Sequence, residues 1–135
     1  MLIHRILYIG RWRCDFFFAT GDGFDPASVM ECLEYLEAPS EILERSWFKM
    51  QPGTFNEGFT WSNGQMLQSC IFVGPAVSGA EFLDSFTHEL RHLADDIAAN
   101  LGINLRGERV AYITGDTTRD LAEVVCRLGC PTCHD

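Results

Sequence analysis

The chain has 135 residues, 47% of them apolar and 21% charged, which suits one domain able to bury a substantial core. That balance excludes a disordered tail, a collagen-like repeat and a coiled coil, and no apolar run approaches the ~20 residues of a membrane-spanning helix. Nineteen acidic residues against ten basic ones give a net charge of −9, which repels phosphate backbones and speaks against nucleic acid as a partner.

In chain order, IHRILYI at 3–9 and RCDFFFA at 13–19 are rich in β-branched and aromatic residues. They predict two strands, or one long bent strand, with Gly10 as a turn or bulge. The N-terminal MLIHRILYIG is broken by His4 and Arg5 and no small-residue cleavage site follows it, so no signal peptide is expected. TGDGFD at 20–25 is turn chemistry. Asp25 as N-cap and Pro26 as first helical residue open a short helix over 26–37, with Val29, Leu33 and Leu36 at helical spacing. Ile42, Leu43, Trp47 and Met50 outline a second helix, stopped by Pro52 and Gly53. TFNEGFTWSN at 54–63 alternates aromatic and polar residues and suggests an extended strand or loop.

MLQSCIFV at 66–73 reads as a strand closed by Gly74-Pro75. The strongest helix covers roughly 79–100, where Phe82, Phe86, Leu90, Leu93 and Ile97 recur every three or four residues and Gly102 is the C-cap. A further helix starts near Gly107, with Gly115 ending or kinking it. Another helical stretch at 117–128 leads to a Cys-rich tail at about 126–135. Strands, helices, a strand and then helices make an α+β pattern, here a single domain over 1–135.

Of six cysteines, Cys14, Cys32 and Cys70 lie among apolar residues and read as small core hydrophobes. Without a secretory signal the default is reduced thiols in a cytoplasmic protein. Cys126, Cys130, Cys133 and His134 form C-x₃-C-x₂-C-H, four soft ligands able to hold a structural zinc if the chain end is ordered. CPTCH at 130–134 also fits a covalent haem attachment pattern, but that chemistry needs export.

The segment that carries chemistry is His88-Glu89-Leu90-Arg91-His92, two histidines four apart with Glu after the first. On a helix such residues lie about 40° apart around the axis and ~6 Å apart along it, so both imidazoles can reach one Zn²⁺ ion. Glu89 projects to the side, placed to act on a water as general base and then as acid. The alternative is two solvated or packed histidines. A catalytic zinc needs a third protein ligand and one open position. Glu108 is the first candidate, after a Gly102 turn that lets the chain double back; the alternative role is a first-turn glutamate complementing the helix dipole. Asp95 competes as ligand, although a straight helix puts it about 10 Å along the axis from His88. Asp95 or Asp96 fits better as a partner orienting His92. Tyr112, one turn beyond Glu108, is a candidate hydrogen-bond donor to an oxyanion, or a core tyrosine with its hydroxyl at the surface.

His88 to His92 with Glu108 resembles the zincin metallopeptidases, in particular their glutamate-ligand branch, the gluzincins. THELRHLADDIA at 87–98 and GERVAYITGD at 107–116 resemble small zincin-like proteins of bacterial phages and mobile elements, over roughly residues 66–116. The resemblance implies a minimal zincin-like fold: a small antiparallel or mixed sheet packed on the active-site helix and a following ligand-bearing helix. It implies zinc-dependent hydrolysis of a peptide or protein substrate that pairs with an edge strand, expected at 66–73. Many gluzincins are several times larger, so only the minimal core fits here. The alternative to a peptidase is a non-catalytic metal-binding or protein-interaction module on the same fold. Neither a membrane partner nor an oligomeric state is indicated.

Overall fold

A computed structural model describes residues 1–130 and has an α+β architecture. Cys133 and His134 of the expected tail metal cluster lie outside the described residues; of its other two members Cys126 is an exposed free thiol and Cys130 is disulfide-bonded, not the reduced thiol expected. Strands β1 (Leu2–Ile9) and β2 (Trp12–Ala19) pair antiparallel, Leu2 opposite Ala19 and Ile9 opposite Trp12. The two-residue connection places Gly10 at φ +60°, a backbone state that glycine enters without steric cost. So the two runs form a hairpin, not one bent strand.

Helices α1 (Ala27–Tyr35) and α2 (Ser40–Lys49) follow. Pro26 is the N-cap of α1, and the Asp25 carboxylate accepts from the Ala27 N–H at 3.0 Å, which satisfies one free donor of the first turn. The 54–63 stretch contains strand β3 (Gly58–Asn63), and β4 (Gln68–Val73) completes a four-stranded mixed sheet ordered β1-β2-β4-β3. β4 runs parallel to β2 and antiparallel to β3.

The order explains the composition. β2 and β4 are interior and covered on both faces, so they read as near-continuous apolar runs. Phe16, Phe18, Ile71 and Val73 face a cluster with α3 (Gly79–Leu101), α4 (Glu108–Asp120) and α5 (Ala122–Gly129). Phe17, Ala19, Cys70 and Phe72 face the other way, onto Val29, Leu33 and Leu36 from the α1 side. Phe82, Phe86, Leu90, Leu93 and Ile97 are all buried on α3, each worth about 1.5–3 kcal/mol of transfer energy. Ser78 caps α3 by accepting from the Glu81 N–H at 3.1 Å, and Gly102 ends it at φ +68°.

Two expectations change. α4 runs straight through Gly115, where an added Cβ would meet open space, and the break comes at Leu121. Starting a new helix there lets Leu121 and Val124 both sink into the core. The 66–73 strand is not an edge: β4 lies between β2 and β3, and the edge on that side is β3. His4, which carried no assignment, belongs to a polar cluster around Asp15.

Asp15 is 2% exposed, on the α1 side of β2. Its carboxylate accepts from His4 Nε2 at 2.9 Å, from Arg13 Nε and Nη2 at 3.0 Å each, and from Gln68 Nε2 at 2.9 Å. Burial pushes this carboxyl up, but the hydrogen bonds from Arg13, His4 and Gln68 and the Arg13 charge outweigh it and hold its pKa below the ordinary value. Burial first, and the Asp15 charge second, push the Cys14 thiol up to about 12. A hydrogen-bonded Cys32 together with burial raises Cys70 well above the ordinary thiol value. Cys14 and Cys70 are therefore inert core side chains, as their apolar surroundings in the sequence imply.

Candidate active site

Midway along α3 the face turned to the sheet is apolar, but the flank turned to β3 is not. Glu89 is buried on that flank, 5% exposed, while His88 and His92 are exposed. The two histidines converge: their Nε2 atoms are 3.1 Å apart and their rings meet edge to face. Two nitrogens at ~2.0–2.1 Å from one tetrahedral zinc would be separated by roughly this distance. The pair thus fits two of the three protein ligands of a catalytic zinc.

β3 positions Glu89. Alternate residues of a strand share a face, and Gly58, Thr60 and Ser62 form the face turned to α3. Thr60 Oγ1 donates to Glu89 Oε1 at 2.9 Å. Gly58 leaves the space that the Glu89 side chain fills: a Cβ there would stand 2.7 Å from the Phe72 carbonyl oxygen and 3.1 Å from both Glu89 Cγ and Oε2. Ser62 donates to Asp96 Oδ2 at 2.7 Å and lies 2.6 Å from Ser69 Oγ, which accepts from Trp12 Nε1 at 2.8 Å. A chain of polar side chains therefore ties β2, β4 and β3 to α3. On the opposite face, Phe59 and Trp61 pack on the α1–α2 cluster.

The outer edge of β3 faces a cleft of about 460 Å³ whose other walls are α3 and α2. The Gly74 N–H donates to the Glu57 carbonyl, which fixes the alternation of the β3–β4 ladder. Phe59 and Trp61 then bond toward β4, and the N–H and C=O groups of Thr60 and Ser62 point to the cleft side. The Gly58 carbonyl, on the same side, accepts from Lys49 Nζ at 3.1 Å. The cleft is also lined by Asp84, His88, His92 and Asp96, a row of residues four apart on α3.

Glu108 and Tyr112 are elsewhere. Among the described residues no third histidine, cysteine, aspartate or glutamate joins His88 and His92 in a metal-sized group. Nine residues of helix, ~13 Å, separate His92 from Leu101. The turn after Gly102 is compact, with the Gly107 N–H bonded to the Asn104 carbonyl, so it does not carry Glu108 back along α3. Glu108 is an exposed first-turn residue of α4, in the dipole-complementing position. Tyr112 is 62% exposed and lines a separate groove beside the end of β1. Asp95 pairs with Arg91 at 2.8 Å and Asp96 with Ser62, so neither carboxylate orients His92.

Sequence reasoning missed Gly58, Thr60 and Ser62. Their signal was the alternation at 58–63, which puts the small and hydroxyl side chains on one face and the aromatic ones on the other. Compared with known proteins, the chain matches no protein-family model, no curated protein and no solved structure.

Proposed function

We propose that the chain is a zinc-dependent metallopeptidase that hydrolyses peptide bonds in the cleft between α3 and β3. The observation that carries this reading is the convergence of His88 and His92 Nε2, 3.1 Å apart, beside a buried glutamate and an open strand edge. His88 and His92 would hold the ion. Glu57, Asp84 and Asp96 are the other carboxylates that line the same cleft, and Glu108 joins them only if the 102–107 turn rearranges. Zinc bound there supplies Lewis-acid polarisation of the scissile carbonyl and lowers the pKa of a water.

The chain's own residues do the rest. The Thr60 hydroxyl occupies Glu89 Oε1 and leaves Oε2 to take a proton from the attacking water and pass it to the leaving amine. The backbone groups of Thr60 and Ser62 hold an extended peptide as an added strand. A cytoplasmic setting belongs to the same proposal; Cys14, Cys32, Cys70 and Cys126 are free thiols, whereas Cys130 is disulfide-bonded. No described helix is long and apolar enough to cross a membrane.

The test is metal content and peptide hydrolysis of the full chain purified without chelators. One zinc per chain is expected, lost in the His88→Ala/His92→Ala variant and kept when the chain is cut after Gly129. Glu89→Gln is expected to keep the zinc and lose hydrolysis. Metal that leaves with the tail and ignores the histidines sinks the assignment. Metal held at the histidines with no hydrolysis in the parent favours the second reading, a non-catalytic metal-binding module.

A further inference from the structure

The two long walls of the cleft carry opposite chemistry. α3 contributes Asp84, Glu89 and Asp96 with the two histidines, whereas α2 contributes Arg45 and Lys49, four apart on one helix face. A chain with a net charge of −9 has few cations to place, and two of its ten basic residues stand here. Arg45 is exposed and makes no ion pair among the described residues. Lys49 Nζ spends one donor on the Gly58 carbonyl and lies 3.9 Å from Glu57 Oε2.

Lys49 also closes one end of the strand edge. With the Gly58 carbonyl taken, an incoming strand can continue its ladder at Thr60 and Ser62 but not at Gly58. Antiparallel pairing is the more stable kind. A peptide laid antiparallel on β3, which runs from Gly58 to Asn63, has its carboxyl-terminal side at the Gly58 end. There the backbone pairing stops at the Lys49 ammonium, and Arg45 lines the same cleft one helical turn earlier on α2.

We propose that the cleft selects peptides that carry a carboxylate on the carboxyl-terminal side of the bond held at His88 and His92, recognised by Arg45 and Lys49. This deepens the metallopeptidase reading and rests on it. The carboxylate comes either from the peptide's own terminus or from an Asp or Glu side chain, and the guanidinium of Arg45 offers either one a two-pronged hydrogen-bonded contact.

Binding tests the proposal without turnover. The full-length Glu89→Gln chain is titrated by fluorescence anisotropy against four N-terminally labelled versions of one neutral peptide: free acid, amidated, amidated with an internal Glu, and amidated with Gln at the same place. Either the free acid or the Glu peptide is expected to bind about tenfold more tightly than its neutral twin, the ratio one charge-assisted contact supplies. Whichever does so identifies the source of the carboxylate. Arg45→Gln, at an exposed unpaired position, is expected to remove most of that ratio, Lys49→Gln to reduce it, and Arg45→Glu to reverse it. Equal affinities for all four peptides, no measurable binding, or a preference that survives Arg45→Gln overturns the proposal. The outcomes separate from those of the parent reading. A carboxylate preference in a protein that never hydrolyses peptides discards the peptidase and keeps the selectivity, and hydrolysis with no preference does the reverse.

Discussion

Two carboxylates are buried among the described residues, Asp15 on β2 and Glu89 on α3, and they are treated in opposite ways. Asp15, 2% exposed, is surrounded by donors: an arginine, a histidine and a carboxamide all turn to it. Glu89, 5% exposed, has one hydroxyl, that of Thr60, and no arginine, lysine or histidine pairs with it among the described residues. A fully satisfied buried charge is structural, because its donors fix it and use up its basicity. Glu89 has one oxygen held by Thr60 and lines the cleft beside two converging imidazoles.

Isosteric amides break the comparison most sharply. Asp15→Asn puts an NH₂ among the donors of Arg13, His4 and Gln68 and is expected to cost about 2–3 kcal/mol in urea unfolding. It also changes the acid limb. Because the folded pKa of Asp15 is lowered, its contribution is fully present above the ordinary Asp value of about 3.9 and is lost as pH falls through the lower folded value. Unfolding curves from pH 6 to pH 2 should show this loss below about pH 4 in the parent, and a shallower acid limb in Asp15→Asn. The same slope in both would remove Asp15 from the account.

Gly58→Ala comes next. Its Cβ would stand 2.7 Å from a backbone oxygen that cannot swing away, so about 1–3 kcal/mol is expected by thermal or urea unfolding, with Glu89 displaced as well. Glu89→Gln sharpens the contrast from the other side. Thr60 can still donate to the amide oxygen and no ion pair is lost, so stability should change by less than about 1 kcal/mol, with either sign. A loss as large as that of Asp15→Asn would mean that Glu89 too is structural. The smallest effect belongs to Tyr112→Phe, expected within about 0.5 kcal/mol and without influence on zinc content, since Tyr112 is exposed and away from the cleft.

The comparison also marks what the sequence could carry. The strand at 13–19 is legible because its aromatic residues favour a pleated sheet, and the α3 periodicity with its Ser78 and Gly102 ends is set by local chemistry. The pairing of His88 with His92 is legible for the same reason, since both sit on one helix. Relations that cross elements were not. Whether 66–73 is an edge depends on where 54–63 inserts, and a weakly apolar alternating stretch does not say. Glu108 was placed by counting residues through a turn whose compactness comes from Asn104, whose Oδ1 accepts from the Arg106 N–H. Asp15 and His4 are eleven residues apart and meet only because Gly10 lets β1 and β2 fold onto each other.

The contact between Lys49 and the Gly58 carbonyl has a consequence in solution behaviour. An unpaired edge strand such as β3 accepts a strand from another copy of the same chain, which is how edge-to-edge aggregation starts. An ammonium group over one carbonyl shortens the exposed template to a few groups. The net charge of −9 adds a long-range repulsion between copies that a small neutral or cationic peptide does not feel. High salt screens that repulsion and leaves the edge as open as before. Storage at high ionic strength is therefore expected to favour association of copies through this edge.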